Sequence, residues 1–96
     1  MLVIEVPRPT QEKEYTMQVY FARNLKALLK TFIKGDVRTY LKGDDLQVHI
    51  YSVNGIVYHY TLENLSSEIV QGLSSETLAH RILKWYKGYI NNLFFL

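Results

Sequence analysis

The chain opens on an apolar run, Leu2 to Val6. After the polar stretch PRPTQEKE at residues 7–14 it alternates, with Tyr15, Met17, Val19 and Phe21 on one side and Thr16, Gln18 and Tyr20 on the other. Strict alternation is the period of a half-buried strand, and a helix here would set Val19 on the face that Lys26 and Lys30 occupy. The pattern predicts strands over 2–6 and 14–21 joined by a proline-bearing loop at 7–14. The alternative for 15–21 is a backward extension of the helix that follows. In that helix Leu25, Leu28, Leu29, Phe32 and Ile33 recur at helical spacing, with Asn24 as N-cap and Gly35 as a favourable stop.

Three β-rich runs come next, Val37 to Lys42, Leu46 to Val53 and Ile56 to Leu62, separated by Gly43-Asp44 and Asn54-Gly55. Asn-Gly between alternating apolar residues predicts a type I′ turn with positive φ at both positions. Two-residue turns at both hairpins would pair Val37 with Ile50, Thr39 with Val48 and Leu41 with Leu46, then Tyr51 with Tyr58, His49 with Tyr60 and Ile50 with His59. One face of the meander is then aliphatic, running from Val37 through Val48 and Ile50 to Val57 and His59, and suits burial. The other carries Arg38, Tyr40, Lys42, Gln47, His49, Tyr51, Tyr58 and Tyr60.

A short helical turn from Asn64 or Ser66 to Gly72 leads to a longer helix capped by Ser74 or Ser75 and running to about Ile90. Leu78, Ile82 and Tyr86 fall on its inner side; His80, Arg81, Lys84 and Lys87 share the outer one. The expected architecture is one α+β domain over residues 1–96, order ββαβββαα, with an antiparallel sheet of about five strands and two main helices packed on one face.

Composition narrows this only a little. Ninety-six residues, 48% of them hydrophobic, suffice for a single core that buries about two-thirds of the surface. The absence of cysteine excludes disulfides, thiolate metal sites and thiol chemistry. The apolar start lacks a basic leader and runs into Pro7 and Pro9, so neither a signal peptide nor a membrane span is expected. A cytoplasmic location is expected, and the lysine-, asparagine- and tyrosine-rich chain has the look of a small bacterial or phage protein.

The net charge of +2 hides an uneven distribution. Arg23, Lys26, Lys30 and Lys34 lie in a stretch without acids, as do Arg81, Lys84 and Lys87, so both helices carry a basic stripe. Such stripes attract anionic partners and equally serve as a solvated face. The tyrosine face matches the rings on which bases stack, a protein contact, or ordinary cross-strand packing. At the C-terminus four apolar residues, Leu93 to Leu96, follow Asn91-Asn92, a pair that usually ends helices. Covering them takes a fold-back or a second copy of the chain.

Catalytic signals are weak. There is no nucleophile elbow, P-loop or dinucleotide fingerprint, and the serines sit where helices need caps. The register above sends His49 and His59 to opposite faces, which argues against a metal site. The expectation is a small interaction module that is no enzyme and has no catalytic residue, no cofactor, no metal and no small-molecule substrate. It would bind a protein partner, or itself as a homodimer, through Arg38, Tyr40, His49, Tyr51, Tyr58, Tyr60, Phe94 and Phe95. The alternative is a nucleic-acid binder using Arg23, Lys26, Lys30, Lys34, Arg81, Lys84 and Lys87 with the Tyr/Arg sheet face.

The order helix, three antiparallel strands, helix from Asn24 to Ile90 is similar in outline to the double-stranded-RNA-binding domain. The resemblance is topological, covers about two-thirds of the chain and implies fold alone. Where that family clusters lysines at the start of its final helix, this chain reads Ser74, Ser75, Glu76 and Thr77.

Overall fold

The structure, a computed structural model, describes the backbone of residues 9–95 and the side chains of residues 15–90. It is α+β: α1 (Pro9–Phe32), β1 (Asp36–Lys42), β2 (Asp45–Tyr51), β3 (Val57–Leu62), α2 (Leu65–Val70) and α3 (Ser75–Phe95). The three strands form one antiparallel sheet in the order β1-β2-β3. No helix among the described residues is long and apolar enough to cross a membrane. The expected strand at 2–6 lies outside the described residues. The expected strand at 14–21 is instead helix, as is 9–14 of the expected loop.

The physical reason lies in one polar residue. The buried stripe of α1 is Gln18, Phe21 and Ala22, Leu25, Leu29 and Ile33, a helical period. Gln18 stands in its third turn and is only 7% exposed, so a polar residue occupies a core position, while the exposed Tyr15 and Met17 fall at odd positions with Phe21 and imitate alternation. Pro9 opens the helix at the position where a missing N–H costs nothing. Asn24 is mid-helix and exposed rather than a cap. The helix stops just before Gly35, whose φ of +115° belongs to glycine. A Cβ on Gly35 would collide with the Tyr51 backbone carbonyl.

The sheet's helix-facing side carries Val37, Leu46, Val48, Ile50 and Tyr58, all buried against Leu25 and Leu29 of α1 and Leu78, Ile82 and Tyr86 of α3. β1 and β2 pair as expected, from Val37 with Ile50 to Lys42 with Asp45 across Gly43-Asp44. β2 and β3 do not. Tyr51 pairs with Val57, Ile50 with Tyr58, His49 with His59 and Val48 with Tyr60, a register one residue away from that of a two-residue turn.

The loop is the cause. The Gly55 N–H donates to the Ser52 carbonyl (3.1 Å) and the Ser52 N–H to the Ile56 carbonyl (3.0 Å), which encloses three residues, Val53-Asn54-Gly55. Only Gly55 has positive φ (+86°), not Asn54, so this is a turn followed by a left-handed glycine rather than type I′. Asn54 contributes its side chain instead, accepting the Ile56 N–H at 3.2 Å. Because side chains alternate, a one-residue slip exchanges the faces of β3.

The second half closes by caps. Asn64 (φ 56°) precedes α2 without a side-chain cap; the cap comes from the first hairpin turn. The Asp44 carbonyl accepts the Leu65 N–H at 2.8 Å, and the Asp44 carboxylate accepts the Ser66 N–H at 2.9 Å. Gln18 secures this junction from α1, donating to Asp44 Oδ1 (2.7 Å) and Ser66 Oγ (2.8 Å). α2 ends in a Schellman motif, with the Gly72 N–H on the Ile69 carbonyl and the Leu73 N–H on the Glu68 carbonyl. Ser74 caps α3 through its hydroxyl, which accepts the Thr77 N–H at 3.1 Å.

Candidate functional surfaces

Two surfaces stand out, one on each side of the molecule. The open face of the sheet brings together Arg38, Tyr40, His49 and Tyr51, as expected, and adds His59 and Val57. Tyr58 and Tyr60, expected on this face, point the other way. Tyr58 is 8% exposed and meets Tyr86 edge-on at 5.1 Å between ring centroids, while Tyr60 meets Trp85 at 5.3 Å. They are core and near-core, removed from the partner face by the slipped register. Phe94 and Phe95 continue α3 past Asn91-Asn92, but their side chains lie outside the described residues.

On the open face the polar groups largely satisfy one another. Asp36 accepts from Arg38 Nε at 3.1 Å and pairs with Lys30 Nζ at 3.4 Å. Arg38, then the Lys30 ammonium and last the backbone N–H of Val37, hold the Asp36 carboxyl below its usual range against the opposing desolvation. The Arg38 guanidinium lies 5.0 Å from the Tyr51 ring centre, a cation–π contact. The Tyr40 and His49 rings are 4.9 Å apart, and those of His49 and His59 4.2 Å. Desolvation, then the neighbouring His59 and Lys42, push His49 below the usual histidine value. Among the described residues no group of three or more His, Asp or Glu is arranged to hold a metal ion.

The second surface is a groove of about 640 Å³ along the outer seam of α1 and α3. Its floor is Leu28, Ala79 and Leu83, its far wall is Phe32, and Lys84 and Lys87 stand on its rim. Phe32, expected in the core, is 67% exposed. It sits one position before Ile33, the last member of the buried stripe, and 100° of helix rotation carries it out of the core. A smaller hollow beyond it is lined by Phe32, Val53, Lys87 and Ile90. The signal missed in the sequence was that Leu28 and Phe32 form their own i, i+4 pair beside the core stripe.

The seven cations of the two basic stripes do not form one surface. Arg23 lines a hollow beside Tyr40 and Lys42 at the β1 side of the sheet, Lys30 reaches Asp36, Lys26 is half-buried, and Lys34 and Arg81 are exposed. Lys84 and Lys87 flank the groove. No family model, no curated protein and no solved structure matches the chain.

Proposed function

We propose that the chain is a cytoplasmic, non-catalytic binding module that takes an acidic amphipathic helix of a partner protein into the groove between α1 and α3. The observation that carries this reading is Phe32, a large aromatic left two-thirds in water at the edge of an apolar trough. Burying such a side chain is worth about 1.5–3 kcal/mol, and aromatic anchors beside an apolar pocket are typical hot spots. The trough follows α3 from Glu76 to Lys87, twelve residues spanning about 17 Å at 1.5 Å of rise per step. That length fits roughly three turns of a docked helix read through i, i+4 and i+7 anchors. The lysine rim, with Glu76 the lone acid at one end, selects a ligand whose flanks are acidic.

The test is fluorescence anisotropy with a labelled 15-residue peptide bearing leucines at i, i+4, i+7 and i+11 and glutamates elsewhere. Binding should weaken at least tenfold in Phe32→Glu, and less in Lys84→Glu. A counterpart peptide with lysine in place of glutamate should not bind. If light scattering finds a dimer that Phe32→Glu splits, the groove belongs to a second copy and the acidic-helix reading falls. The nucleic-acid alternative would take over if duplex RNA or DNA is bound with steep salt dependence and Phe32→Glu leaves that binding intact.

A further inference from the structure

The open sheet face holds a pair of residues that the groove does not use. His49 and His59 stand opposite one another on β2 and β3 with ring centroids 4.2 Å apart and planes tilted by 48°. The Ser52–Ile56 hydrogen bond starts the ladder of this hairpin. Alternation from it makes Ile50–Tyr58 a hydrogen-bonded pair and His49–His59 a non-hydrogen-bonded one, the kind that brings side chains closest. Both rings project from a face that no helix covers among the described residues; His49 is half-buried and His59 exposed.

We propose that His49 and His59 together chelate a divalent transition metal of the zinc, nickel or copper(II) class, one imidazole nitrogen each, with water completing the coordination shell. Metal–nitrogen bonds of about 2.0–2.1 Å at a tetrahedral angle place the donors about 3.3 Å and the ring centres about 5 Å apart. The rings reach that spacing from 4.2 Å by rotation about side-chain bonds with the strands in place. Imidazole nitrogen is the donor these metals prefer, whereas magnesium and calcium want oxygen. Ligation needs neutral rings, and the surroundings supply one: desolvation together with the nearby His59 and Lys42 disfavours protonated His49. The other cation on the face, Arg38, is turned toward Asp36 and Tyr51. The carboxylate of Asp45, at the far end of β2, lies on the same face and offsets the charge of Lys42.

Titration of the full chain with zinc chloride, followed by calorimetry and by the imidazole proton resonances, tests this. Zinc should bind at one ion per chain, shift the ring protons of His49 and His59 but not those of His80, and weaken as pH falls from 7 to 5. Magnesium should do none of this. His59→Gln changes an exposed side chain, so its fold is secure and can be checked by its melting curve without metal. Its zinc affinity should drop at least tenfold, as should that of His49→Gln, while His80→Gln stays within twofold of the parent. Zinc should also raise the melting temperature of the parent, because it pins β3 to β2 only in the folded chain, and leave that of His59→Gln unchanged. Zinc affinity retained within twofold in His59→Gln, or lost in His80→Gln, overturns the proposal.

Discussion

The β1–β2 hairpin turns through two residues and the β2–β3 hairpin through three, and this one residue divides the chemistry of the sheet. In the first hairpin Gly43 supplies the positive φ, the strands keep the parity of a two-residue turn, and Val37, Val48 and Ile50 share the core side. In the second, the added loop residue exchanges the faces of β3. Tyr58 and Tyr60 go under the helices and His59 goes out beside His49. Loop length thus sets which aromatic residues are core and which are available to ligands, without any change in the strands themselves.

The largest effect that would sharpen this contrast is at Tyr58 against Tyr51. Tyr58→Ala, which empties a buried aromatic site against Tyr86 and Trp85, should cost about 3–5 kcal/mol in denaturant unfolding. Tyr51→Ala, on the open face, should cost less than about 1 kcal/mol. Equal losses would mean the two tyrosines share a face and the slipped register is wrong. Tyr58→Phe should be neutral or mildly stabilising, because the Tyr58 hydroxyl is buried without a hydrogen-bond partner.

Next in size is Gly35, where β1 begins against the last carbonyl of β2. Gly35→Ala meets both the positive φ and the Tyr51 carbonyl, and should cost about 2–4 kcal/mol. A loss of that size places the entry of the first hairpin under tighter backbone constraint than either turn.

The two turns can then be set against each other. Asp44→Ala removes the carboxylate cap of α2 from the first turn, with an expected loss of about 1–2 kcal/mol. Its pH dependence carries a sign. Hydrogen bonds from Ser66 and then Gln18 hold the Asp44 carboxyl below its ordinary value of 3.8. The stabilisation is therefore complete above that value and is lost as pH falls through the lower, folded-state value. The difference between the acid melts of parent and variant should begin to shrink below about pH 4 and vanish only below the folded-state value. Smallest is Gly55→Ala in the second turn, where a side chain meets open space and only the left-handed backbone resists it, at about 1 kcal/mol. A larger loss would show that the three-residue loop, and not the packing of Tyr58, holds β3 in its register.

Much of the fold was legible. The amphipathic stripe of α3, its serine cap at 74 or 75, the stop near Gly35 and the whole register of β1 with β2 follow from spacing and turn chemistry. Two elements misled for definable reasons. Gln18 occupies a core position of α1 because its amide nitrogen donates to both Asp44 and Ser66, partners 26 and 48 residues away that no local window contains. Asn54-Gly55 reads as a two-residue turn, yet Asn54 does its work through the side chain, on the Ile56 N–H. The open-face group was half legible: Arg38, Tyr40, His49 and Tyr51 depend on β1 and β2 alone, whereas His59 depends on the parity of the second loop. The groove was not legible, since it arises where two helices meet and Phe32 differs from its buried neighbour Ile33 by a single step of rotation.

The aromatic cluster under β3 has an optical consequence. The chain's single tryptophan, Trp85, lies with its ring centre 5.3 Å from Tyr60, 5.2 Å from Tyr89 and 6.3 Å from Tyr58. At such separations light absorbed by these three phenols passes to the indole before they can emit, so in the folded chain they should add to tryptophan rather than tyrosine emission. Withdrawing β3 from α3 breaks the transfer from Tyr58 and Tyr60 at once and leaves that from Tyr89 on the same helix. The ratio of tyrosine to tryptophan emission is thus a label-free gauge of whether the last strand is docked on the last helix.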